Sequence, residues 1–177
     1  LVNSYAEAEI LASNNETDSL TGLFNMSFFY HKVQALISEP EILRQQVSFV
    51  HFDIPNFKLF NERHGFKLGD ELLCDVARII RDVFYGATVA RFSDDHFVVF
   101  TTGAKEDIIA NVEEVYKRIL LADDVNIKVR IKAGIYFLDD ARAEVGLACD
   151  HARLACNSIK NRHDINYCIY DEMLRDK

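Results

Sequence analysis

The stretch Ala87–Phe100, ATVARFSDDHFVVF, decides the fold. Two apolar, β-rich runs flank Ser93-Asp94-Asp95, a polar break that turns a chain back on itself, so the segment reads as a β-hairpin with an acidic tip. Upstream, Val47–Asp53 (VSFVHFD) is a second β-rich run that also ends in an acid. With the hairpin beside that strand in one sheet, Asp53, Asp94 and Asp95 converge at its edge. Each acid also has a local reading, since Asp53 closes a strand and Asp94 and Asp95 supply turn chemistry. Converged, they offer the hard oxygen donors that Mg²⁺ takes, with phosphate oxygens and water completing the shell. Such sites handle nucleotides and phosphoryl transfer.

The flanking segments alternate between helical and extended patterns, which points to an α/β (α+β) architecture. Residues 1–13 read as the end of a helix, and a polar break, NNETD, follows. A helix is expected from Met26 to Ile37, N-capped by Asn25, with Phe28, Phe29, Val33 and Ile37 on its apolar side. Pro55 suits the first turn of a short helix that stops at Gly65. Asp70 is expected to cap the next helix, whose Leu72, Leu73, Val76, Ile79, Ile80 and Val83 recur at helical spacing. Ile108 to Leu120 makes a further helix. Val129, Ile131, Ala133, Ile135 and Phe137 alternate as a strand with one buried face. Val145 to Ile159 is a last helix and 166–170 a last short strand.

Composition narrows the class. The 177 residues carry 20 Lys+Arg against 28 Asp+Glu, a net charge of −8, which disfavours non-specific binding to nucleic acid or an anionic membrane. A chain of this length buries roughly 70% of its unfolded surface and fits one domain. Its 49% apolar content with seven Gly and two Pro is that of a folded core rather than a disordered chain. No run approaches the ~20 apolar residues of a membrane span, and no signal peptide opens the chain, so a cytoplasmic domain is expected, as part of a longer protein since the first residue is Leu1. Cys74, Cys149, Cys156 and Cys168 form no CxxC or zinc-type spacing and read as reduced thiols, the first three within apolar helical patterns.

Several motifs resemble those of GGDEF domains, the diguanylate cyclases of bacterial cyclic di-GMP signalling. Asp18-Ser-Leu-Thr-Gly-Leu-Phe-Asn25 is similar to D-x-L-T-x-L-x-N. Phe52-Asp-Ile-Pro-Asn-Phe-Lys-Leu-Phe-Asn61 is similar to F-D-I-D-x-F-K-x-x-N, and Gly65-Phe-Lys-Leu-Gly-Asp70 to G-H-x-x-G-D. Ala90-Arg-Phe-Ser-Asp-Asp-His-Phe97 stands where A-R-Y-G-G-D/E-E-F belongs, and Lys132-Ala-Gly-Ile135 where S-x-G-I does. The resemblance implies a ferredoxin-like βαββαβ core, that of nucleotidyl cyclases and polymerase palms, with a mainly antiparallel sheet of about five strands flanked by helices. It implies a domain over 18–171, a connector helix from an upstream sensor over 1–17, and at 172–177 the start of a linker toward an EAL phosphodiesterase domain. In active members two chains each hold a GTP, and each 3′-hydroxyl attacks the other's α-phosphate. By resemblance Mg²⁺, or Mn²⁺ in its place, is held by Asp53, the Ile54 carbonyl and Asp95. Guanine falls to Asn61 and Asp70, phosphate to Lys58, and catalysis to Asp95 with Lys58. An amide and a carboxylate are chemically suited to guanine's edge.

Departures gather in the site. The signature glycines are Ser93 and Asp94, its fourth residue is His96, the second Asp of D-I-D is Pro55, and the His of G-H-x-x-G-D is Phe66. A second carboxylate at Asp94, were it to face phosphate ~5 Å away, would cost about 3 kcal/mol at an effective dielectric of ~20. The last helix carries A-D-x-A-L-Y-x-A-K-x-x-G-R in the family. Here Cys149-Asp-His-Ala-Arg-Leu-Ala-Cys-Asn157 puts Asn157 at the Lys and Asn161 at the Arg, with Lys160 and Arg162 nearby. Phe84 and Ala87 replace the Arg and Asp of the product-inhibition motif. The resemblance therefore implies a degenerate domain that binds GTP or serves a structural role with little cyclase activity. The alternatives are an active cyclase and a dimerising domain with an empty site.

Overall fold

Sequestration of one strand organises the chain. The computed structural model describes residues 15–122, 129–139 and 144–171. Its five strands are β1 (Val47–Asp53), β2 (Thr88–Ser93), β3 (His96–Thr102), β4 (Lys132–Phe137) and β5 (Tyr167–Ile169), in the sheet order β2-β3-β1-β4-β5. All seven residues of β1 are buried. It pairs antiparallel with β3 on one edge, Phe52 opposite Phe97, and antiparallel with β4 on the other, His51 opposite Gly134 and Asp53 opposite Lys132. β2 and β3 form the expected hairpin, and β5 adds parallel to β4.

The helices are α1 (Met26–Ile37), α2 (Pro40–Leu43), α3 (Phe57–His64), α4 (Phe66–Val83), α5 (Lys105–Leu121) and α6 (Val145–Ser158). The succession β1-α3/α4-β2-β3-α5-β4 is the expected βαββαβ pattern, which α6 and β5 extend. Alternate side chains of β1 go to opposite layers. Val50 and Phe52 join Phe97, Val99 and Ile135 under α4 and α5, while Val47 and Phe49 join Val98 and Phe100 under α1 and α6. Burying one such Phe is worth roughly 1.5–3 kcal/mol. No helix among the described residues is long and apolar enough to cross a membrane.

Four local expectations change. Gly65, at φ +89°, ends α3 and also starts α4, so Asp70 lies inside α4 rather than capping it. Glycine's tolerance of positive φ lets one residue serve both helices and brings Phe66 to Leu68 into the helix. Pro55 precedes α3, whose N-cap is Asn56 at φ +62°, because the Phe57 amide bonds the Ile54 carbonyl and closes a turn there. β4 begins at Lys132, not 129, and Lys132 to Tyr136 are buried on both faces because α6 covers the side expected to be open. Asn25 does cap α1, its side chain accepting from the Phe28 amide at 2.9 Å. The helix expected over 1–13 and the tail beyond Asp171 lie outside the described residues.

Gly134 sets how closely α6 meets the sheet. A Cβ built there would stand 1.9 Å from the Ala152 carbonyl oxygen and 2.4 Å from the Cys156 amide nitrogen. Gly134→Ala should therefore push α6 outward and lower the unfolding free energy by about 2–3 kcal/mol or more, measured by urea denaturation.

Candidate functional site

Asp53 ends β1 on its α6-facing side, two residues after His51 and thus on the same face. It is 1% exposed, and neither carboxylate oxygen has a hydrogen-bond partner among the described residues. Lys132, opposite it in register, donates its ammonium to the carbonyls of Arg162 and Ile165 instead. Burial raises the Asp53 carboxyl above its usual range, the Asp95 charge adds to this, and Lys160, His96 and Cys156 pull it partly back. A buried, unpaired carboxylate costs several kcal/mol, a cost that a bound cation would offset.

The hairpin tip delivers the second acid. Asp94 occupies the turn at φ +37°, where the resemblance expects glycine, and its side chain is exposed. The turn is braced by Arg91, whose Nε donates to the Asp94 carbonyl at 2.7 Å and whose Nη1 lies 3.1 Å from Asp18 Oδ1. Burial pushes the Asp18 carboxyl up, but bonds from the Thr21 hydroxyl and amide and from Arg91 outweigh it and hold it low. With the turn so held, Asp95 Oδ2 accepts from the Ile54 amide at 3.0 Å, which ties the hairpin tip to the end of β1. Asp53, Ile54 and Asp95 thus lie together at the end of β1, and the Ile54 carbonyl also accepts from the Phe57 amide at 3.2 Å.

The other expected residues lie on α3 and α4. Asn61 Oδ1 is buried without a partner among the described residues, and a Cβ on Gly69 would come within 1.8 Å of it. The glycine therefore makes room for the Asn61 amide beside the start of the next turn. Asp70 is exposed and lines a surface depression of about 540 Å³ with Leu20, Lys67, Glu71, Cys74 and Asp75. Lys58 is exposed on α3 and makes no ion pair among the described residues.

Two neighbours of Asp53 escape sequence reasoning. His51 is 3% exposed, and its Nε2 lies 3.1 Å from Nδ1 of His96, whose Nε2 is 4.0 Å from Asp95 Oδ1. Cys156, fully buried on α6, reaches Asp53 because Gly134 admits the helix. The two-residue spacing of His51 and Asp53 was a usable signal, but nothing in the sequence places Cys156 beside them. Burial, then the His96 and Arg153 charges, lower His51 from 6.5 to about 3, so it is neutral near pH 7. Burial also raises the Cys156 thiol well above its usual range, and Asp53 adds to that.

The family model "Diguanylate cyclase, GGDEF domain" matches residues 15–165, and the chain belongs to that family. It is 33% identical over 109 residues to a diguanylate cyclase of Vibrio cholerae serotype O1, covering 62% of this chain and 32% of that protein. It is 30% identical over 116 residues to diguanylate cyclase DgcP of Escherichia coli strain K12, covering 64% of this chain and 34% of that one. The chain thus spans about a third of the length of these relatives. The coiled coil and GGDEF domain of DgcB from Caulobacter crescentus, in complex with c-di-GMP, superposes with a TM-score of 0.80 at 21% identity, over 95% of this chain and 96% of that one. At that identity the likeness is one of fold.

Two outcomes test the electrostatics. Asp53→Asn removes an uncompensated buried charge and should raise the melting temperature of the metal-free protein at pH 7, by the equivalent of about 1–3 kcal/mol. His51 binds a proton in the unfolded chain below about 6.5 but in the folded one only near 3. Its contribution is therefore complete above 6.5 and lost as pH falls. Between pH 7 and 4.5 wild type should lose about 3 kcal/mol more than His51→Leu, measured by urea titration at both pH values.

Proposed function

We propose that this domain binds GTP with Mg²⁺ and acts as a regulatory module with little or no cyclase activity. The observation that carries the reading is the buried, unpartnered Asp53 carboxylate beside Asp95. Oxygen donors from Asp53, Asp95 and the Ile54 carbonyl fit a hard divalent cation. Mg²⁺, or Mn²⁺ in its place, would supply charge neutralisation for the phosphates when bound. The orphan Asn61 oxygen supports a guanine N–H partner there, with Asp70 on the following helix. Lys58 on exposed α3 is the candidate phosphate contact.

Turnover is the weaker half of the chemistry. Ser93 and Asp94 replace the residues that let backbone approach phosphate, and His96 replaces an acid. Asn157 and Asn161 remove two cations from where charge develops in phosphoryl transfer. Lys160 lies close enough to lower the Asp53 carboxyl, and this nearby cation favours residual cyclase activity as the second reading. An upstream sensor, a downstream EAL domain and homodimer formation belong to the same proposal for the longer protein, as do the boundaries 1–17, 18–171 and 172–177 and a cytoplasmic location.

Calorimetric titration should show Mg²⁺-dependent binding of GTP but not ATP, lost in Asp53→Asn and weakened about tenfold or more in Asn61→Ala. Incubation of the same protein with GTP should yield no cyclic di-GMP by chromatography. Absence of GTP binding overturns the reading in favour of a dimerising domain, and product formation beyond a trace overturns it in favour of an active cyclase.

A further inference from the structure

The face of β1 that carries Asp53 holds a second donor set, which has only Asp53 in common with the oxygens above. One ring nitrogen of His51, one carboxylate oxygen of Asp53 and the Cys156 sulfur all lie within 4.8 Å of one another, and all three residues are buried. We propose that His51, Asp53 and Cys156 are a three-ligand site for Zn²⁺, with its fourth position open.

The donors argue for the metal. An imidazole, a thiolate and a carboxylate suit a borderline-soft cation that takes nitrogen and sulfur, whereas Mg²⁺ keeps to oxygen. The spacing is within reach. Tetrahedral Zn²⁺ with bonds of ~2.0 Å to N or O and ~2.3 Å to S sets its ligand atoms roughly 3.3–3.6 Å apart, so the three close by about 1.5 Å at most. The Asp53 carboxylate is the independent sign of a missing ligand, being 1% exposed with both oxygens unpartnered. His96 lies 3.1 Å from His51 and holds its ring, as outer-shell partners of histidine ligands do. Binding converts the Cys156 thiol to thiolate and releases its proton to solvent.

Cys156 and the neighbouring His96 both depart from the family pattern. The family pattern quoted above has Ala where Cys156 stands and Glu where His96 stands. The site does not depend on the nucleotide reading, but it shares Asp53 with the Mg²⁺ donors. Zn²⁺ bound here therefore excludes Mg²⁺ from Asp53 and makes the domain responsive to the zinc level.

Co²⁺ titrated into the metal-free protein without nucleotide is the test. One equivalent should give a thiolate-to-metal charge-transfer band in the near ultraviolet, and Zn²⁺ should bleach it. Cys156→Ala should abolish the band while Cys149→Ala keeps it. His51→Gln should weaken Zn²⁺ binding beyond the ~10–100-fold that loss of an outer-shell partner costs. Circular dichroism and melting of each variant establish that it is folded. A wild-type protein without the band, or a band that survives Cys156→Ala, overturns the proposal, as does unchanged Zn²⁺ affinity in folded His51→Gln. Mg²⁺-dependent GTP binding measured on the same wild-type protein reads the nucleotide proposal separately.

Discussion

Enclosure of β1 is the constraint on which the rest of this structure depends. Its two edges are taken by β3 and β4, and its two faces by α4/α5 and α1/α6, so seven consecutive residues leave solvent. Five of the seven are apolar or aromatic in the ordinary sense or small enough to be neutral, but His51 and Asp53 are not. A strand so enclosed places an ionisable pair where water cannot reach it, at the end from which the chain turns through Ile54 and Pro55 into α3. The cost of that placement is what the proposed cation at the end of β1 would offset.

The hairpin answers this from the other side. Arg91 joins Asp18 of the opening motif to the backbone of the turn, and the turn in consequence sets Asp95 against the Ile54 amide. The tip keeps its form although Asp94 stands at positive φ where glycine is the easier residue. Loss of the signature glycines has therefore not cost the chain its fold or the meeting of Asp53 with Asp95. It alters what surrounds them: a carboxylate at 94, an imidazole at 96 and amides in place of two cations on or after α6. The same region carries nitrogen and sulfur donors, from His51, His96 and Cys156.

Much of the fold was legible in the sequence because strand and helix periods differ and the chain keeps to them. The alternation and turn chemistry of 87–100 marked the hairpin, and the helical recurrence from Leu72 to Val83 marked α4. One expectation failed where a single glycine did more than punctuate. Gly65 both ended and began a helix, so Asp70 moved from a cap to an interior turn, and backbone freedom of that kind leaves no trace in hydrophobic pattern.

By itself the sequence determined the family, the order of elements and the acids at the ends of β1 and the hairpin, since these are properties of local pattern and of motifs in order. Only the tertiary structure decided that Asp53 is left without a partner, that Lys132 opposite it is committed to carbonyls, and that Cys156 lies beside it. The reason is physical. Which charges are satisfied depends on how closely elements far apart in the chain approach, and here that distance is set by the missing side chain of Gly134, which lets α6 rest on the sheet.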